Sequence, residues 1–165
     1  MAADETPAFV QMQRLHIDAV LPVRAHDGDA GVDLTSIEHC RLQPGERAVV
    51  GTGIAIEVPP GWAALVCPRS GLAALHGISV VNGPGVVDAG YRGEIRVVLH
   101  NSDLHEAFTI EPGDRIAQLV LTPVFTGMIV EVDELSEAAR AADGFGSTGG
   151  FAAVTITSPE AETPA

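Results

Sequence analysis

Hydrophobic positions along this chain cluster in a series of short apolar, β-branched segments. Such stretches occur at Met12–Ile17, Ala48–Val50, Gly53–Val58, Ala63–Cys67, Ser79–Asn82, Ile95–Asn101, Ala107–Ile110, Ile116–Val124 and Gly127–Val132. Short β-branched apolar runs bounded by turn formers are the mark of strands. Turn formers fill the gaps, as in Gln43-Pro44-Gly45-Glu46, Pro59-Pro60-Gly61 and Glu111-Pro112-Gly113-Asp114. Many strands of similar length at close spacing predict an all-β barrel or sandwich, read here as a jelly roll. Two stretches have helical character. Ser70–His76 allows one or two turns with Ser70 placed to cap them. Glu134–Ala142 contains good helix formers but stands alone as a connector.

The ends differ from the middle. Residues 1–8 and 158–165 are rich in Ala, Pro, Thr and Glu and read as disordered. One β domain is expected over 9–142, followed by a flexible Gly-rich arm and tail over 143–165. With 46% hydrophobic, 19% charged and only 4% aromatic residues, the core must be built from Val, Ile, Leu and Ala. Eighteen Gly and eleven Pro suit strands joined by tight turns and disfavour a helical bundle.

A formal charge of −13 argues against nucleic acid or an anionic membrane as partner. Every one of the nine cationic side chains is Arg, whose fixed fork of donors suits phosphate oxygens. Cys40 and Cys67 form no metal knuckle and are read as reduced thiols. No apolar run approaches the ~20 residues of a membrane span. The acidic start MAADETPAF lacks the features of a signal peptide, so a cytoplasmic location is expected.

Five Gly-rich segments carry candidate chemistry. Ala25–Ser36 places three Asp within seven residues. Such a turn suits Mg²⁺, or its carboxylates cap backbone N–H groups. Its His26-Asp27 pair resembles that of metal phosphohydrolases, which need helices this chain does not have. Pro68-Arg69-Ser70-Gly71 enters the short helix and is either an anion site or a Ser cap beside a surface Arg. Asn82–Ile95 holds Asp88 among small residues, where it could orient a water or cap a turn. It also holds Tyr91, the only Tyr, whose ring could face a ligand or the core. Arg92 and Glu94 are read as a structural ion pair. In Gly113–Leu119, alternation sets Gln118 on a face with Ile116 and Val120, where its amide needs a backbone or ligand partner. Finally, Arg140–Gly150 is a phosphate-cradling Gly loop or an unstructured tail, with Phe145 between two glycines.

Taken together and in order, AGVDL, PRSG, GVVDAGYRGEI, GDRIAQL and GFGSTG resemble the five signature segments of the trimeric dUTPase family, over roughly Arg24 to Gly149. The resemblance implies a β-clip jelly-roll subunit, a homotrimer with shared active sites, and Mg²⁺-dependent hydrolysis of dUTP to dUMP and pyrophosphate. It assigns Asp33 to the metal, through water, and Asp88 to the water that attacks the α-phosphorus. It assigns Arg69, Ser70, Gly71 and Gln118 to the phosphates. Asn82 with Gly85, Val86, Val87 and Asp88 forms the uracil and deoxyribose pocket, against the Tyr91 ring. Arg96 stands where some members have a substrate-contacting Lys. Arg140, Phe145, Gly146, Ser147 and Thr148 match a closing arm, in which Ala141 and Asp143 replace the usual Gly. Two alternatives belong beside it. The dCTP deaminases share the fold and a PRS-type segment but do not resemble DAGYRGEI or GFGSTG. A dUTPase-like regulatory module would not need Asp33, Asp88, Gln118 and Arg140 together.

Overall fold

A computed structural model describes residues 9–137. The chain divides into two compact units, Met1–Gly127 and Met128–Ala165. Every strand and the single helix of the described residues lie in the first. Along the chain these are β1 (Gln11–Arg14), β2 (Gly31–Thr35), β3 (Cys40–Leu42), β4 (Arg47–Glu57), β5 (Trp62–Cys67), α1 (Ser70–His76), β6 (Ile78–Val80), β7 (Gly85–Val87), β8 (Glu94–Asn101), β9 (Phe108–Ile110) and β10 (Arg115–Pro123). They form two four-stranded antiparallel sheets, β1-β4-β8-β6 and β2-β10-β5-β7, with a two-stranded β3-β9 ribbon. The arrangement is jelly-roll-like, although the sheets do not close into a barrel.

The two sheets share one core. Ile54 and Ile56 of β4 and Val97 and Leu99 of β8 pack in the same cluster as Leu34 of β2, Val66 of β5 and Leu119 of β10. β8 has the expected alternation: Ile95, Val97, Leu99 and Asn101 are buried and Arg96 is exposed. Buried Asn101 is satisfied on both ends of its amide. Its Nδ2 donates to the carbonyls of Leu42 and Glu106, and its Oδ1 accepts from the Asp103 N–H.

The segments Ala48–Val50 and Gly53–Val58 join into the single strand β4. Gly53, at φ 66°, turns what reads as a break into a bulge between Gly51 and Ala55. Three strands escaped the sequence pattern: β2 inside the acidic turn, the short β3, and β7 inside a Gly-rich loop. No strand forms at Gly127–Val132, which finds no ladder partner among the described residues. Residues 134–137 show no helix, and the rest of Glu134–Ala142 lies outside the described residues. Helix α1 is capped by backbone Arg69 with no side-chain cap bond, so Ser70 is its first helical residue and not its cap. Both cysteines are free and partly buried. Burial, then Glu46 and Glu38, hold the Cys40 thiol above its ordinary value.

Candidate active site

β7 is the last strand of its sheet, paired with β5 through Ala64↔Val87 and Val66↔Gly85. One edge of its backbone is therefore left without a ladder partner among the described residues. A pocket of about 170 Å³ opens beside it, lined by Asn82, the β7 residues, Asp88, Tyr91, Glu94 and Arg96. Gly85 lets the Asn82 amide sit close to the β7 backbone, since a Cβ there would lie 3.0 Å from Asn82 Nδ2. The turn after β7 closes by a bond from the Tyr91 N–H to the Asp88 carbonyl, 3.0 Å. Asp88 is exposed, and no described residue hydrogen-bonds its carboxylate. Its lone pairs are free for water or ligand. Tyr91 is 45% exposed, yet its hydroxyl is satisfied by the Glu94 carbonyl at 2.9 Å. The ring lies over Gly93, where a Cβ would meet the hydroxyl at 2.5 Å.

A second group gathers around Asp33, on β2. Arg69 Nε reaches Asp33 Oδ1 at 2.9 Å, and an Arg115 guanidinium nitrogen reaches Oδ2 at 3.1 Å. Arg69 also donates to the Arg115 carbonyl at 3.0 Å. Two guanidiniums against one carboxylate leave an excess positive charge, which offsets the acidic field of the chain for an approaching anion. Gln118 lies opposite Asp33 in the β2–β10 ladder and opposite Cys67 in the β10–β5 ladder. Its Nε2 donates to the Pro68 carbonyl at 2.9 Å, so the amide finds a backbone partner. Gly31 leaves room for this amide, since a Cβ there would meet Gln118 Oε1 at 2.9 Å and displace it. Ser70 and Gly71 are exposed at the start of α1, with open space around Gly71.

The fold thus sorts the expected residues into two groups. Asn82, Gly85, Val86, Val87, Asp88, Tyr91 and Arg96 line one pocket, while Asp33 and Gln118 line another beside Asp29. Arg140, Phe145, Gly146, Ser147 and Thr148 lie outside the described residues. Within the acidic turn, Asp29 caps the His26 N–H at 2.9 Å, so one carboxylate has the capping role and Asp33 the ionic one. The expected Arg92–Glu94 pair does not form. Arg92 bonds Glu57 at 2.9 Å, and Glu94 turns instead to the Gly53 N–H and to Arg96. Arg92 lies in the turn before β8, where its guanidinium also bonds the Ala89 and Tyr91 carbonyls, while Glu94 is already in the strand beside the β4 bulge. Sequence reasoning missed Arg115 and Glu94. The first could have been noticed, since it lies within the same GDRIAQL segment as Gln118.

Among the described residues, no cluster of three or more His, Cys, Asp or Glu could cage a metal. Mg²⁺ needs no such cage. It takes one or two carboxylates, waters and substrate phosphates, and the partly exposed Asp33 carboxylate beside two arginines fits that donor set. Nor, among the described residues, is any helix long and apolar enough to cross a membrane.

Comparison with known proteins agrees with this geometry. The family model described as dUTPase matches residues 18–149. A deoxyuridine 5'-triphosphate nucleotidohydrolase of Thermobifida fusca is 57% identical over 157 residues, covering 93% of this chain and 88% of the relative. A mutant dUTPase of Staphylococcus bacteriophage 80alpha, solved with dUpNHpp, superposes with a TM-score of 0.81 at 30% identity, over 87% of this chain and 99% of its own. A mutant dUTPase from phage phi11 of S. aureus, described with a structural Mg(II) ion, gives 0.73 at 28% identity over 78% and 99%. With an edge-strand pocket, an arginine-flanked carboxylate and a family match across most of its length, the chain belongs to the dUTPase family.

Proposed function

We propose that the protein is a dUTP diphosphatase, hydrolysing dUTP to dUMP and pyrophosphate. The observation that carries this reading is the edge of β7, left without a ladder partner among the described residues, beside the exposed Asp88 carboxylate. Fixed backbone donors and acceptors on that edge, with the Asn82 amide, would read the Watson–Crick face of uracil. Cytosine would leave buried polar groups unpaired there, which is the stronger form of rejection. The Tyr91 ring closes the sugar side and leaves no room for a ribose 2′-hydroxyl.

Asp88 binds the 3′-hydroxyl and accepts a hydrogen bond from the attacking water, aiming it at the α-phosphorus and taking its proton as the new P–O bond forms. The bond to the bridging oxygen breaks and pyrophosphate leaves. Arg69, Ser70, Gly71 and Gln118 hold the phosphate chain, with Arg115 beside them. Mg²⁺, bound with the triphosphate, supplies charge neutralisation at the phosphate oxygens, and Asp33 would hold it through a water. Arg140 and Phe145, with Gly146, Ser147 and Thr148, would close over the γ-phosphate and the base.

The two separate groups support a shared-site assembly. A pocket of about 170 Å³ is smaller than the roughly 300–1,000 Å³ of ligand sites, and the Asp33 group lines a different one. A homotrimer in which one subunit's β7 pocket meets another's Asp33 group would complete each site.

The test is pyrophosphate release from dUTP, dTTP, dCTP and UTP, with Mg²⁺ and with EDTA. Turnover confined to dUTP and lost in EDTA is expected. Ammonia release from dCTP would move the protein to the deaminase branch, and tight dUTP binding without turnover would make it a regulatory module.

A further inference from the structure

Glu94 lines the pocket, and its side chain and backbone carbonyl both make contacts beyond it. It stands at the start of β8, opposite Ala55, where the β4–β8 register shifts between Gly51 and Ala55. A bulge interrupts the ladder and leaves backbone groups to find other partners. The Gly53 N–H finds the Glu94 carboxylate, Oε1 at 2.8 Å. Thr52 completes the junction, its buried hydroxyl donating to the Ile95 carbonyl at 2.6 Å. The other carboxylate oxygen of Glu94 faces Arg96 at 3.8 Å, and Arg96 also meets Glu38 at 3.3 Å. Gly51 leaves room for this arrangement, since a Cβ there would lie 2.8 Å from Glu94 Oε1 and 2.7 Å from Glu38 Oε1.

The Glu94 carbonyl, in turn, is the acceptor on which the Tyr91 hydroxyl rests. The ring is otherwise half exposed and packs on Gly93, so that hydroxyl contact is what sets how far it leans over the pocket. We propose that Glu94 is a positioning residue for sugar discrimination: by gripping the β4 bulge it fixes the carbonyl that holds Tyr91, and so decides whether a 2′-hydroxyl fits. The inference rests on the dUTP reading of the pocket. It adds that a residue remote from the phosphates governs deoxyribose against ribose.

The experiment measures kcat/KM for dUTP and for UTP, with thermal unfolding of each variant alongside. Glu94→Ala is expected to lower the dUTP/UTP ratio by about tenfold or more, because a mobile Tyr91 no longer excludes ribose. Glu94→Gln, which keeps an acceptor for the Gly53 N–H, restores the ratio to within about threefold of the parent. Tyr91→Phe lowers the ratio as Glu94→Ala does, and the double variant falls no further, as residues acting through one contact do not add. If Glu94→Ala does not fold, Glu94→Asp, whose carboxylate falls short of Gly53, reads the same ratio. A folded Glu94→Ala or Glu94→Asp that loses both activities by the same factor overturns the proposal. A parent protein that turns over dUTP and UTP alike overturns the reading beneath it as well.

Discussion

Asp33 and Arg69 meet at 2.9 Å although a whole strand, β10, separates β2 from β5 in their sheet. Arg69 lies just beyond the end of β5 and reaches past β10, while Arg115 reaches the same carboxylate from the start of β10 itself. The carboxylate thus gathers two guanidinium cations, which the proposed function sets against the phosphates. Charge-assisted bonds of this kind contribute about 1.5–3 kcal/mol each when made to an anion. Arg69→Ala and Arg115→Ala should therefore each lower kcat/KM for dUTP by about ten- to a hundredfold, mainly through KM. Steady-state kinetics check this. An Arg115→Ala enzyme with parental KM would leave that side chain a purely structural partner of Asp33.

Asp88 has no hydrogen-bond or ion-pair partner among the described residues, so its removal should be felt in the chemistry. Asp88→Asn is expected to reduce turnover by about 10²–10⁴, the usual contribution of a positioned general base, with little change in thermal stability. Binding of dUpNHpp by calorimetry should persist within a few-fold. Turnover close to parental would mean that some other group orients the water.

Gly53 tests the bulge independently of catalysis. Its φ of 66° strains any side chain, and a Cβ would lie 2.9 Å from the Cβ atoms of both Ala19 and His16. Gly53→Ala should cost about 1–3 kcal/mol in urea unfolding, because neither neighbour has a flexible end to move. Gly90 has an ordinary φ, and a methyl added there would meet nothing within 4 Å, so it should accept Ala within about 0.5 kcal/mol.

The loop after β8 carries a pH dependence of definite sign. Bonds from the backbone N–H groups of Glu106 and His105 hold the Asp103 carboxyl below its ordinary value of 3.8. A carboxylate with a depressed folded pKa contributes stability in full above its unfolded pKa. That contribution fades as the pH falls through the folded value. Asp103→Ala should lower stability at neutral pH and leave it nearer the parent at strongly acid pH. Thermal unfolding across that range measures the convergence, and a constant offset at every pH would refute the assignment.

The strands that announced themselves are those whose pattern is local. β8 alternates buried and exposed residues along its length, and β10 keeps Ile116 and Leu119 inside. β2 and β7 were hidden, because Gly and Asp are poor strand residues taken singly. Gly31–Thr35 becomes a strand through its ladder with β10, and Gly85–Val87 through its ladder with β5, so packing overrides propensity. β4 was read as two pieces because a left-handed Gly looks the same in sequence whether it ends a strand or bulges it.

The sequence by itself determined the all-β class, the residues available for chemistry and, through five ordered segments, the family. Those are properties of composition, short-range alternation and local motif. Tertiary structure alone decided that Arg115 shares Asp33 with Arg69, that Arg92 takes Glu57 and not Glu94, and that Glu94 holds both Gly53 and Tyr91. Apart from the Tyr91–Glu94 contact, which lies within one turn, each of these joins residues far apart in sequence, and their meeting depends on which faces bury together, which no local stretch of the chain specifies.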